Sequence, residues 1–380
     1  MTAMLDHMTD YQCPRCGARS PVESLAWRCP RCHGPWDLDF AAAPVSLDTL
    51  AGRVGSLWRY EEALPLSATE ATGDGPGAVS LGEGRTPLVP LTATVTAKLD
   101  FLMPTLSFKD RGAVVLVELA RRLKPRRVIA DSSGNAGTSI AAYCARAGLD
   151  CTVYVPAATS PKKIEQIAAH GARPDRVPGD REATARAARA AADEDGVFYA
   201  SHVHNPYFLH GTKTYVYEIW EDLGGRLPEV LVLPVGNGTL LLGAHLAVEE
   251  LRTHGLIAER PAIVAVQTAA VAPLARAFRA GADDITPAEA APTLAEGIAI
   301  PAPPRSRQIL SAVRACGGTF LTVTDDPIRA AQLDLAARGL FVEPTGAACW
   351  AAIQEHGLEG RTAVVPLCGA GAKTGVAAEG

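Results

Sequence analysis

Residues 229–251 read EVLVLPVGNGTLLLGAHLAVEEL, an apolar β-branched run, a turn at Gly236-Asn237-Gly238, and then a segment of helical period. A short, uninterrupted apolar run closed by a turn is the pattern of a strand buried on both faces. Glycines at a strand-to-helix turn let backbone amides crowd an anion at the positive end of the helix. They also serve the tight packing of a strand-helix corner with no ligand at all. The spacing lacks both the Gly-Lys-Ser/Thr end of a Walker loop and the acidic partner of the dinucleotide fingerprint, so an anion held here is some other phosphate.

The same unit recurs along the chain. RVIAD (127–131), CTVYVP (151–156), AIVAVQT (262–268), GTFLTVT (318–324) and TAVVPL (362–367) alternate with Ala-rich helical segments. That alternation predicts an α/β protein with largely parallel, buried strands. REATARAARAAADEDG (181–196) reads as a long exposed helix, and SLWRYEEALPL as one amphipathic segment in an Ala/Gly/Pro-rich stretch from Ala41 to Ala78.

A chain of 380 residues with 48% hydrophobic content supplies a sizeable core and room for more than one domain. Its 36 Lys+Arg against 41 Asp+Glu give a net charge of −5, which offers no general attraction to nucleic acid or anionic lipid. The opening MTAMLDHMTDYQ has no basic-then-apolar leader pattern, and no apolar run approaches the roughly 20 residues of a membrane helix, so a cytoplasmic protein is expected.

Cys13-Pro-Arg-Cys16 and Cys29-Pro-Arg-Cys32 have the spacing of two knuckles that close a tetrahedral zinc site. Four thiolates leave no place for water, so the metal is expected to be structural, the staple that a segment of about 40 residues needs in order to fold. Arg15, Arg28 and Arg31 admit a nucleic-acid zinc ribbon as the rival, although nothing downstream continues a basic surface.

Two further stretches carry chemistry. In PTLSFKDRGA (104–113), Lys109 follows an apolar stretch and opens a helix, where the helix field favours the neutral, nucleophilic amine. In DSSGNAGTS (131–139), hydroxyls, amides and backbone N–H groups gather at a helix start and suit a carboxylate. Taken singly, the first is an ordinary surface lysine and the second a Ser/Gly turn whose Ser or Asn caps a helix.

Together, and in this order, SFKDRGA, SSGNAGTSIAAYCARAGL and PVGNGT resemble the fold-type-II enzymes of pyridoxal 5′-phosphate (PLP), the tryptophan-synthase-β-like fold, and most closely the threonine-synthase-like branch. LWRYEEALP, LGEGRTPLVPL, HNPYFLHGTKTYVYEIW, AEGIAIPAPP, FVEPTGAACWAAI and PLCGAGAKTG extend the likeness over most of the chain, and some members carry a zinc-knuckle preface. The resemblance implies that Lys109 bonds the cofactor covalently and then acts as the base at Cα, with Phe108 beside it. It implies that Asn135 bonds the ring hydroxyl, that Ser132, Ser133, Ala136 and Gly137 line the substrate-carboxylate site, and that Gly236, Asn237, Gly238, Thr239 and Leu240 hold the cofactor phosphate. Cys368 falls beside the pyridine nitrogen, where a neutral thiol leaves the ring a mild electron sink suited to elimination.

Threonine synthases commonly place Asn-Ser before, and Arg after, the segment that here reads Asn205-Pro206-Tyr207. This chain has His202, Val203 and Phe208 at those places, Leu106 where relatives carry Gly, and Met103 for a common Asn. A phosphate dianion facing Phe loses a charge-assisted contact worth about 2–3 kcal/mol. If a phosphorylated substrate is nevertheless bound, Arg305, Arg307 and Lys373 are the first candidates to hold it.

The expected organisation is a zinc ribbon at 1–42, a large PLP-binding domain from 43–99 and 205–380, and a small domain at 100–204. The expected partners are a small amino-acid substrate and a second copy of the chain, with neither nucleic acid nor membrane. The expected activity is a carbon–oxygen lyase doing β- or γ-elimination or replacement in amino-acid metabolism. The alternatives are a serine/threonine-type dehydratase that forms a 2-oxo acid, and a non-catalytic zinc-ribbon binding protein.

Overall fold

The computed structural model describes residues 10–66 and 79–375. The opening residues 1–9 and part of the stretch expected as a loop, 67–78, lie outside the described residues. The chain divides into two compact units, residues 1–83 with 109–212 and residues 84–108 with 213–380.

The first unit holds a small antiparallel sheet of two-residue strands, β1 (Tyr11–Gln12), β2 (Arg19–Ser20) and β3 (Asp37–Leu38), in the order β2-β1-β3. Its main sheet is fully parallel, with β6 (Arg127–Ala130), β7 (Cys151–Pro156), β8 (Arg173–Val177) and β9 (Val197–Tyr199) in the order β8-β7-β6-β9. The helix Lys109–Leu123 packs its Val114, Val115, Leu116, Val117 and Leu119 with no exposure. A helix buried around its whole circumference, here with Asp110, Arg111 and Glu118 among the buried residues, is a core helix, and this one is the spine of the unit.

The second unit contains a six-stranded sheet of β4 (Leu88–Pro90), β5 (Val95–Lys98), β10 (Val230–Pro234), β11 (Ala262–Thr268), β12 (Thr319–Val323) and β13 (Ala363–Pro366). The order is β12-β11-β10-β13-β5-β4, and every pairing is parallel except the β4 edge. Within it, Lys98 is fully buried and its Nζ reaches Glu218 at 3.0 Å and Asp222 at 3.1 Å. Glu218 also accepts the Arg85 and Thr86 backbone N–H groups, so the buried charges are paired and hydrogen-bonded, as burial demands.

The chain passes between the two units at 83/84, 108/109 and 212/213. SLWRYEEALPL forms 3₁₀ turns over Leu57–Ala63, interrupted at Tyr60, and Leu57, Trp58 and Leu64 join the core of the helix Lys109–Leu123. Residues 101–108 run with the other unit, because Phe101 N donates to Leu367 O and Phe108 N to Cys368 O, both at 2.9 Å. Tyr207 and Phe208 return to the first core. The cysteine knuckles have no separate core either, since Tyr11, Cys13, Cys29 and Trp36 are buried in that same cluster. The exposed helix expected at 181–196 is Arg181–Ala192, N-capped by Asp180 through Ala183 N at 2.8 Å.

Candidate active site and metal centre

Four thiols converge at the knuckles. Cys13 Sγ lies 3.3 Å from Cys32 Sγ and Cys16 Sγ 3.5 Å from Cys29 Sγ, with all four within 4.8 Å of one another. Zinc–sulfur bonds of about 2.3 Å at tetrahedral angles put the edges of such a site at roughly 3.7 Å. Each knuckle is a tight turn, with Gly17 N donating to Cys13 O at 3.0 Å and His33 N to Cys29 O at 2.9 Å. The donor set and its geometry fit a closed, structural zinc.

A second group of ligand types is His245, Glu249 and Cys316, with Cys316 Sγ 3.6 Å from His245 Nδ1. Arg260 forks onto both Glu249 oxygens, so a cation there would meet a fixed positive charge and a carboxylate already in use.

In the first unit Lys109 is the opening residue of its 15-residue helix. The helix Asn135–Ala147 starts beside it, because Ser139 Oγ donates to Asp110 Oδ1 at 2.5 Å. A second tie runs from Tyr143 Oη to Glu83 Oε2 at 3.0 Å, and Glu83 also takes Leu81 N and Ser80 Oγ. Burial raises the Glu83 carboxyl above its ordinary range, with these donors working the other way.

The N-cap of the helix Asn135–Ala147 is Gly134, and no side chain caps it. Asn135 is the first helical residue, and the Ser132 hydroxyl turns back to accept Gly134 N at 3.3 Å. Gly137 is forced by packing, because a Cβ there would stand 1.7 Å from the Ser132 carbonyl oxygen. This first turn therefore presses on the loop 131–134, and an uncapped N-terminus is left of the kind that receives a carboxylate.

An aromatic ring lies beside Lys109. Its Nζ lies 5.9 Å from the centroid of the Phe208 ring, and that ring is fully buried. The ring rests on Gly112, where a Cβ would come within 2.4 Å of it. His202 meets the ring edge-on, with centroids 5.8 Å apart. Burial first, and then the charge of Lys109, hold His202 well below the usual imidazole pKa, so it stands neutral.

The second unit carries the other residues implied by the resemblance. The turn after β10 leads to the helix Thr239–Thr253, whose N-cap Gly238 has φ +77° and no side-chain cap. Gly236 cannot carry a side chain either, since its Cβ would be 2.6 Å from Gly297 O. Both readings of this turn hold together: packing requires the glycines, and they leave an uncapped 15-residue helix opening at Thr239 and Leu240. Phe108 and Cys368 are joined by the backbone bond already given, and the buried Cys368 thiol points toward Pro366 O at 3.8 Å. Ser107 is buried, and among the described residues its hydroxyl has no hydrogen-bond partner. The implied residues thus fall into two sets, Lys109, Ser132, Ser133, Asn135, Ala136 and Gly137 in one unit and Phe108, Gly236 to Leu240 and Cys368 in the other.

What the sequence did not reveal is the pair of ties, Ser139 to Asp110 and Tyr143 to Glu83, because their spacing along the chain follows no motif. The basic candidates for a phosphate are committed elsewhere. Arg307 pairs with Asp284 at 2.7 Å, Lys373 Nζ donates to Thr105 O at 2.9 Å, and the buried Arg305 holds Gln308 at 2.8 Å. Leu106, in the place of a common Gly, has the left-handed φ of +62° that glycine adopts freely.

One zinc per chain is expected by elemental analysis of gently purified protein. Cys29→Ser should release it and lower the melting temperature while PLP stays bound, and metal-free protein with an intact fold would end this assignment.

Among the described residues no helix is long and apolar enough to cross a membrane. The family profile described as pyridoxal-phosphate dependent enzyme matches residues 79–369. The threonine synthase of Methanosarcina acetivorans is 31% identical over 360 residues, covering 92% of this chain and 87% of its own. That of Methanocaldococcus jannaschii is 32% identical over 358 residues, covering 90% and 86%. Among solved structures, a T.th. threonine deaminase superposes with a TM-score of 0.63 at 27% identity over 74% of this chain and 92% of that one. The processed threonine deaminase isoform 2 of Solanum lycopersicum gives a TM-score of 0.64 at 21% identity over 73% and 74%, a likeness of fold. With two largely parallel sheets, uncapped helix openings at the family's motifs and this coverage, the chain belongs to the fold-type-II pyridoxal-phosphate dependent enzymes and resembles the threonine synthases.

Proposed function

We propose that this protein is a PLP-dependent carbon–oxygen lyase of threonine-synthase type, which eliminates or replaces a β- or γ-leaving group less charged than a phosphate ester. The observation that carries the reading is the buried Phe208 ring beside Lys109, edged by a neutral His202. The bound cofactor would supply the electron sink that makes the Cα proton removable. Lys109 would bond the cofactor and then move that proton, and Phe108 would pack beside it. The uncapped opening at Ser132, Ser133, Ala136 and Gly137 would orient the substrate carboxylate. Gly236 to Leu240 would hold the cofactor phosphate, Asn135 the ring hydroxyl, and the uncharged Cys368 thiol would face the ring nitrogen.

A dianion placed against Phe208 and neutral His202 would be desolvated with too few partners. The reading is tested by comparing kcat/KM for O-phosphohomoserine with that for O-acetylated and free-hydroxyl amino acids. The uncharged compounds are expected to win. A ten-fold preference for the phosphorylated compound, about 1.4 kcal/mol, overturns the choice of leaving group. Phe208→Arg should shift the ratio toward the phosphorylated compound, with a melting curve to confirm that the buried site accepts the larger side chain. Formation of a 2-oxo acid from serine or threonine favours the dehydratase alternative, to which the likeness with the T.th. threonine deaminase at 27% identity lends weight. A colourless protein would favour a non-catalytic zinc-ribbon role.

A further inference from the structure

Besides their contact with Asp193 and with the core of their unit, the cysteine knuckles meet the segment that carries His202 and Phe208. Asn205 Nδ2 donates to Tyr11 Oη at 3.0 Å, and Asn205 Oδ1 accepts Tyr207 N at 3.0 Å, one residue before Phe208. Trp36 N donates to His204 O at 3.1 Å, and the Trp36 ring stacks on Tyr11 with centroids 5.6 Å apart and planes 10° from parallel. Trp27 sets its ring edge-on to His204 at 5.1 Å and to Tyr199 at 5.3 Å. Its Nε1 is fixed in turn by Asp193 at 2.8 Å. Phe40 meets His210 edge-on at 5.3 Å, at the far end of the same segment.

Each of these three contact residues lies close to a thiol in sequence: Tyr11 two positions before Cys13, Trp27 two before Cys29, and Trp36 four after Cys32. The strands around them are two residues long, too short to hold a shape by pairing alone. The closure of the four thiols fixes Tyr11 relative to Trp27 and Trp36, together with the stack of Tyr11 on Trp36 and the bond from Trp36 Nε1 to Ala26 O at 2.7 Å. The segment they grip is short of regular structure from Ala200 to Asn205 and carries the side chains facing Lys109.

We infer that the metal-closed knuckle is a positioning device for the Tyr199–Phe208 segment, acting through Tyr11, Trp27 and Trp36 as positioning residues that set His202 and Phe208. That Phe208 and His202 select the substrate rests on the function proposed above, whereas the mechanical coupling does not. Loss of the metal then loosens a segment distant in sequence while the sheet of the other unit stays intact.

Hydrogen exchange on the PLP-loaded full chain, with zinc and after chelation, tests the coupling. Peptides spanning 199–210 should exchange at least about ten-fold faster without metal, and peptides from β10 and β11 should not change. Equal protection of 199–210 in both states overturns the inference. Because chelated protein can unravel, Tyr11→Phe serves as the second arm, since it removes only the oxygen that Asn205 reaches. It should retain zinc and PLP, exchange faster at 205–208, and raise KM about five-fold with kcat nearly unchanged. Unchanged exchange at 205–208 in that variant also overturns the inference. Faster exchange with an unmoved KM upholds the coupling, and it is then the assignment of Phe208 and His202 to the substrate pocket that fails.

Discussion

Lys109→Ala is expected to abolish turnover, with a fall in kcat of at least about four orders of magnitude, because one amine serves both as the covalent anchor and as the base at Cα. Borohydride treatment should no longer fix the cofactor to the chain, and the visible band of the wild-type protein should be lost or shifted. The fold should survive. Lys109 opens its helix, where alanine is at least as good a helix former, and the interior of the helix is packed by Val114 to Leu119. Zinc content and the melting transition serve as controls. Covalent fixation that persists in Lys109→Ala would show that another amine holds the cofactor and would remove the basis of the assignment.

The second large effect is expected at Gly137. Adding one methyl group there places it 1.7 Å from a backbone oxygen, that of Ser132, which no rotamer change can relieve. Either the first turn of the helix Asn135–Ala147 or the loop before it must move, so Gly137→Ala should cost about 2–4 kcal/mol of stability. The same movement opens the proposed carboxylate site, so substrate KM should rise steeply even where folded protein is recovered. Gly148→Ala, in the C-cap of that helix, is the control. Its φ is +66° but nothing lies within 4 Å of the new methyl, so the cost there should be only about 1 kcal/mol of left-handed strain. Urea midpoints of the two variants that agree within error would mean that the loop 131–134 yields freely and does not define a rigid site.

How far the sequence carried the reading depends on which interactions are local. The strands β6, β7, β10, β11 and β13 were legible because their apolar β-branched runs are largely buried on both faces, and the half-buried edge strand β12 because GTFLTVT has the same composition. RPDRV (173–177) was not, because as the edge strand β8 it is mostly half-exposed and charged. VTAK (95–98) hid as well, since Lys98 ends a central strand with its charge neutralised by Glu218 and Asp222, more than a hundred positions away. The four thiols were readable from spacing alone. The union of the knuckle with the core of its unit was not, for Tyr11 finds Asn205 across 194 positions, a distance over which no periodicity speaks. Of the candidate site, the helix openings at Lys109, Asn135 and Thr239 followed from motifs and turns. The bond from Ser139 to Asp110 that holds the first two together follows no motif and became visible only in the packing.

The order of the six-stranded sheet bears on how the chain is made. Its last strand in sequence, β13, lies between β5 and β10 and bonds to both. During synthesis β5 is made long before its parallel neighbour β13, because Ala363 follows Lys98 by 265 positions. Until then β5 presents an apolar edge with unpaired backbone groups, as β10 does on its own inner side. A ribosome that stalls before residue 363, or a truncation that removes the final strand, therefore leaves two adhesive edges in place of a shortened sheet. Such chains are the species that chaperones must shield and that aggregate when they are not shielded.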